Sequence, residues 1–176
     1  LFTITRRRIL WLLILVFANG LTTKVIAMND QILKEIVLLA AFIPLLIGTG
    51  GNVGAQSSTV VIRGLSTQKL KSLGAIKAVV REAITGALLG VLMMVVVIPF
   101  AWWQGEGPLI AAAVGISLIS ITTLAATTGA ILPLLFDKMR LDPALMSSPF
   151  ITTVTDIAGV FIYLSTAKWL LASKIL

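Results

Sequence analysis

Of 176 residues, 58% are hydrophobic and only 12% are charged, against roughly a quarter charged in an ordinary soluble domain. The net charge of +7 sits in short clusters between long apolar runs, and the aromatic-interleaved basic grooves of a nucleic-acid binder are absent. With no Cys and no His there is no disulfide framework or thiolate site, and the commonest general base and transition-metal ligand are both missing.

Each apolar run is long enough to cross the roughly 30 Å hydrocarbon layer as a helix. The runs are continuous rather than alternating, which excludes a transmembrane barrel. The expected fold is therefore all-α and membrane-embedded, with five spans. The first span is expected at residues 9–28, after Arg6, Arg7 and Arg8. The chain opens on Leu1 rather than Met, and it is expected to be a piece of a longer protein, cut just before the membrane region. An outer loop with Asn29, Asp30 and Lys34 leads to a second span at 36–62. There Pro44 and a run of glycines weaken the helix and allow a break or a close backbone approach. A basic segment (Arg63, Lys69, Lys71, Lys77, Arg81) precedes a third span at 82–103. After a tight outer turn (Gln104 to Pro108, with Glu106) comes a fourth span at 109–136. An inner loop with Asp137, Lys138, Arg140 and Asp142 leads to a fifth at 149–171.

With the first end inside, ten Lys and Arg fall on inner segments. Four, Lys24, Lys34, Lys168 and Lys174, fall outside. That bias predicts an N-terminus in the cytoplasm and a C-terminus outside, in the cytoplasmic (inner) membrane. Trp102, Trp103 and Trp169 fall at outer ends and Trp11 at an inner one, as an aromatic belt requires.

Glu82 lies at the inner edge of the third span, and only Asp156 falls well inside a span. A carboxylate there costs roughly 2.5–3.5 kcal/mol on insertion scales, so it should face a cavity, a partner or an ion. The alternative is an Asp buried by hydrogen bonds to neighbouring Thr or backbone. Ser148, Thr152, Thr155, Asp156, Gly159 and Tyr163 share one helix face. Such a stripe also suits helix packing, but packing does not explain the Asp. The second span supplies Gly48, Gly50, Gly51, Asn52, Gly54, Gln56, Ser57 and Ser58, a kink for packing or a set of oxygen ligands. The Lys of a phosphate loop is missing. Gly86 and Gly90 form a G-x-x-x-G packing pair. The fourth-span hydroxyls suit either interhelical hydrogen bonds or a polar lining.

The stretch from Pro44 through Gly48, Gly50, Gly51, Asn52 and Gly54 to Gln56 and Ser57 resembles the signature of the MgtE magnesium channels. So does the run Asp142-Pro143-Ala144, Pro149, Thr155-Asp156 and Gly159. The resemblance covers nearly the whole chain. It implies a homodimer with the pore on the two-fold axis, lined by the second and fifth helices. It implies that Asp156 is the ion-selecting carboxylate. The pore positions before the motif proline and a turn before the Asp fall at Ser148 and Thr152, where members often carry Asn or Gly, and sometimes Ala, respectively. The family's cytoplasmic N-terminal helical domain and CBS pair are not in this sequence, which resembles an isolated pore domain.

These readings combine into one expectation. Mg²⁺ gives up its octahedral water shell reluctantly, so a fast path should bind the hydrated ion through its waters. Asp156, Thr152, Ser148 and Thr155 are the expected metal-site residues, with Gly50, Gly51, Asn52, Gln56 and Gly159 lining the pore. Mg²⁺ is the expected cargo, with Mn²⁺, Co²⁺ and Ca²⁺ as competing candidates. The expected partners are a second copy, membrane lipid, and the cytoplasmic N-terminal and CBS domains of the same full-length chain, with no nucleic acid. The alternatives are a Na⁺- or H⁺-coupled divalent-cation exchanger, a non-catalytic membrane anchor and, least supported by these residues, a membrane enzyme.

Overall fold

The computed structural model describes residues 2–67, 74–104 and 107–175. Leu1, Lys69, Lys71 and Glu106 lie outside them, as do the side chains of Arg6, Arg7, Arg8, Trp11, Glu35 and Lys174. Among the described residues all regular structure is helical: α1 (Phe2–Ala27), α2 (Asp30–Glu35), α3 (Leu38–Ser66), α4 (Ala75–Trp103), α5 (Pro108–Lys138) and α6 (Pro143–Ile175).

The helices outrun the expected spans for local reasons. α6 begins six residues early because Asp142 caps it. The Asp142 carboxylate accepts the Ala144 N–H at 2.9 Å, and Pro143 at the first helical position has no N–H to leave unpaired. α4 begins at Ala75, so Lys77 and Arg81 are already helical. The expected outer loop contains the short helix α2, in which Lys34 pairs with Asp30 one turn away. α5 starts on Pro108 and ends in a Schellman turn. There Leu141 N–H reaches Phe136 O at 2.9 Å and Arg140 N–H reaches Asp137 O at 3.0 Å. Arg140 takes the left-handed conformation this turn needs, at φ 58°.

Of the two outcomes that Pro44 and the glycines allow, the second span shows close backbone approach, at Gly50 and Gly54, and no break. α3 runs unbroken through Pro44 and the glycines, and α6 runs unbroken through Pro149. Each proline removes only one intrahelical bond.

Among the described residues, four helical stretches are long and apolar enough to cross a membrane: Leu38–Ser66, Ala75–Trp103, Pro108–Lys138 and Ser147–Leu171. That is one fewer than the five expected. In α1, 26 residues long, the qualifying apolar stretch among the described residues is the shorter Leu15–Ala27.

α5 is the hub. It packs on α3, α4 and α6, while α3 and α6 also meet each other and α1 lies mainly against α6. α5 therefore has buried residues all along its length, whereas α4 leaves Ile84, Leu88, Leu92, Val95 and Val96 exposed, as a lipid-facing helix does. Small residues seat these contacts, because in lipid close packing rather than water exclusion drives helix association. A Cβ at Gly86 would stand 2.5 Å from Thr122 O and 2.6 Å from the Ala126 Cβ, so the Gly86/Gly90 pair seats α4 on α5. Gly54 and Gly129 bring the backbones of α3 and α5 together in the same way.

Candidate functional site

α3 and α6 run antiparallel. Gly50 faces Thr155, Gly54 faces Ile151, and the Tyr163 hydroxyl donates to Leu39 O at 3.1 Å. At this register Gly48 is level with Asp156, Asn52 with Thr152, and Gln56 with Ser148. Beside the seam, a Cβ on Gly51 would stand 3.7 Å from Thr152 Cγ2. Gly51 thus marks the α3 edge that borders the polar side of α6.

Gly48, Asn52, Gln56, Ser148 and Thr152 are all exposed, Asp156 is half-buried, and nothing lies within 4 Å of where a Gly48 Cβ would be. Gln56 lies about 140° round α3 from Gly51, at 100° per residue, and so stands furthest from the α6 edge. Two polar lines on adjacent apolar helices are therefore left open along one groove. The Thr152 hydroxyl donates to Pro149 O at 3.0 Å and to Ser148 O at 3.3 Å. Its proton is engaged within the helix and its oxygen lone pairs remain available. The two ion pairs among the described residues are Lys34–Asp30 and Arg81–Glu82, so none of those cations neutralises Asp156.

The expected set divides along α6. Toward the C-terminal end its polar face is covered: Thr155 is 0% exposed, its hydroxyl donating to Ile151 O at 2.6 Å. Gly159 and Tyr163 are also buried, Gly159 against Ile121 of α5. Gly50, Ser57 and Ser58 are buried on the inward side of α3. Thr155, Gly50 and Gly159 were expected at the ion or along its path. In the single chain they lie in the seam instead, at the level where α3, α5 and α6 touch. Thr59, which is not among the expected site residues, and Arg63, expected only in the basic inner segment, continue the exposed line on α3. The spacing Gly48, Asn52, Thr59, Arg63 was the available signal.

Glu82 is a buried carboxylate, 6% exposed, that accepts from Arg81 Nη2 at 3.2 Å. It shares the α4 packing face with Ala78, Gly86 and Gly90. A cavity of about 1020 Å³ lies between the end of α3 and the Asp142 turn, and none of the expected site residues lines it. No group of three or more acidic residues able to hold a metal occurs among the described residues. Asp156 is thus not part of a ready-made metal-binding cluster among the described residues.

Residues 43–166 match the family model MgtE, described as a divalent cation transporter. The chain belongs to the MgtE family. Within it, the chain is 37% identical over 164 residues to the magnesium transporter MgtE of Thermus thermophilus, covering 93% of this chain and 36% of that protein. It is 35% identical over 162 residues to that of Bacillus subtilis and 35% over 166 residues to that of Enterococcus faecalis, in each case covering 92% of this chain and 36% of the relative. The chain thus spans about a third of the length of these curated relatives. The MgtE match and the apolar helices make it a multi-pass membrane protein of a cation-transporter family, not of an enzyme family.

Proposed function

We propose that residues 1–176 are the pore domain of a Mg²⁺ channel that works as a homodimer in the cytoplasmic membrane. α1 joins α3, α4, α5 and α6 as a fifth span, which puts the N-terminus inside and the C-terminus outside. The pore runs on the two-fold axis between facing α3–α6 grooves. One observation carries the reading: a half-buried carboxylate that pairs with no cation among the described residues, on an exposed polar line of a helix long enough to cross a membrane. A lone carboxylate cannot neutralise a divalent ion, and a second copy supplies the missing charge. The names of the relatives support Mg²⁺ as the cargo.

The hydrated ion is bound through its waters. The two Asp156 carboxylates supply the charge, and Thr152, Asn52 and Ser148 offer oxygens to outer waters at the adjoining levels. Monovalent ions neutralise the carboxylate pair poorly and are disfavoured. Mn²⁺, Co²⁺ and Ca²⁺ compete according to how their water shells fit. The other expected partners, the cytoplasmic N-terminal and CBS domains, belong to the rest of the full-length protein in this reading. The exchanger alternative drew on broken helices as the elements of alternating access. The unbroken course of α3 and α6 favours a channel.

The test is flux in proteoliposomes. Asp156→Asn should abolish Mg²⁺ uptake while the protein still purifies as a dimer. Uptake at the wild-type rate, with Na⁺ still excluded, would remove Asp156 from the ion path. Stepwise single-channel currents at saturating Mg²⁺ are expected; their absence, with uptake coupled to Na⁺ or H⁺, would favour the exchanger.

A further inference from the structure

We infer that Thr155 is a positioning residue for Asp156 whose methyl group, rather than its hydroxyl, sets ion selectivity. The inference rests on the reading of Asp156 as the selecting carboxylate, and deepens it.

Thr155 is fully buried, and its hydroxyl donates at 2.6 Å to Ile151 O. That oxygen is shielded from any ion passing the open groove of the chain. The methyl group does something different. It lies over Gly50, where a Cβ would come within 2.5 Å of Thr155 Cγ2 and 2.7 Å of Ile121 Cγ2. Thr155 and Gly50 thus form a knob and a hole, with Ile121 of α5 closing the third side. One turn along, Ile151 fills the corresponding hole over Gly54, where a Cβ would also stand 3.2 Å from Ala125 O. These two seatings determine how far α6 can slide or roll on α3.

A β-branched side chain suits this task. The back-bonded hydroxyl and the seated methyl together hold χ1 in one well. Asp156 is the next residue, about 100° further round the helix, so a roll of α6 carries its carboxylate with it. A site that grips an ion through a water shell depends on where its oxygens stand, with a tolerance of about 0.5 Å. Loss of the knob should therefore shift selectivity before it shifts anything else.

The experiment measures Mg²⁺ uptake and Na⁺ leak per reconstituted dimer of the full chain. Thr155→Val keeps the methyl shape and removes the hydroxyl; half-saturation and Na⁺ exclusion should stay within about twofold of wild type. Thr155→Ser keeps the hydroxyl and removes the methyl; it should raise half-saturating Mg²⁺ about tenfold and admit Na⁺. Gly50→Ala should do likewise, and Gly50→Ala/Thr155→Ser should lie closer to wild type than Gly50→Ala, because it removes the nearer of the two methyl groups that the new Cβ meets, leaving only Ile121 Cγ2 to shift. The double variant keeps the test decisive if Gly50→Ala alone fails to fold.

Loss of selectivity in Thr155→Val with retention in Thr155→Ser would overturn the inference and place the hydroxyl at the ion. Wild-type selectivity in every variant, or lowered yield with unchanged selectivity per dimer, would overturn it too. Asp156→Asn, measured alongside, separates the two claims. If it leaves uptake intact, the ion-site reading fails. If it abolishes uptake while Thr155→Ser behaves as wild type, only the positioning claim fails.

Discussion

Two helix seams in this molecule are built from the same parts and differ in what they leave open. Between α4 and α5, Gly86 and Gly90 let the helices close on Thr122, Ala126 and Ile119, and the outward surface of α4 is apolar. Between α3 and α6, Gly50 and Gly54 do the same for Thr155 and Ile151, but the adjoining surface carries Asn52, Thr152, Ser148 and Asp156. Glycines at helical spacing therefore mark close approach in both seams and function in neither. The polar groups left uncovered beside one seam distinguish it, since lipid would penalise them without a partner.

The strongest attack on this contrast is at Asp156. Asp156→Ala should cut Mg²⁺ flux in proteoliposomes by at least about a hundredfold, yet leave the detergent melting temperature equal or higher, because the carboxylate costs more to hold in a membrane than an alanine does. A fall in both would make Asp156 a structural group.

In the other seam the pattern should reverse. Gly86→Leu drives a side chain into the Thr122 carbonyl and should cost about 3 kcal/mol or more of stability, while flux per correctly folded dimer stays unchanged. Chemical denaturation followed by flux on the surviving fraction checks both halves.

A smaller effect is expected at Ser117 in α5. Its Oγ is buried without a hydrogen-bond partner, so Ser117→Ala should raise stability by about 1 kcal/mol. A loss of stability or of flux there would reveal a polar role within the hub helix. The smallest effect should come from Arg140, held at φ 58° in the turn after α5. Arg140→Gly relieves the left-handed strain and should gain up to about 1 kcal/mol, read as a small rise in melting temperature with unchanged flux.

Much of this was legible along the chain. Apolar runs with few charges dictate membrane helices, because lipid leaves the backbone no other partner. Asp156 stood out for the same reason: it is the one charge well inside a span, Lys168 lying near the end of the same one. Helix ends were less legible. The cap at Asp142 depends on a single hydrogen bond, and α4 starts directly after Gly74 at φ 83°; hydropathy registers neither. Pro44 and its glycines allowed a break or a close backbone approach; the glycines give the close approach, and one missing bond in a long, well-packed helix is tolerated without a break.

The sequence by itself thus determined an all-helical membrane chain, the family motifs and the one carboxylate deep in a span. Only the tertiary structure decided which members of the polar face are open. Ser148, Thr152, Thr155 and Gly159 lie within a narrow arc of the same helix, and periodicity cannot separate them. Contact with α3 and α5 separates them: Thr155 and Gly159 fall where the three helices meet, while Ser148 and Thr152 fall just beyond that contact.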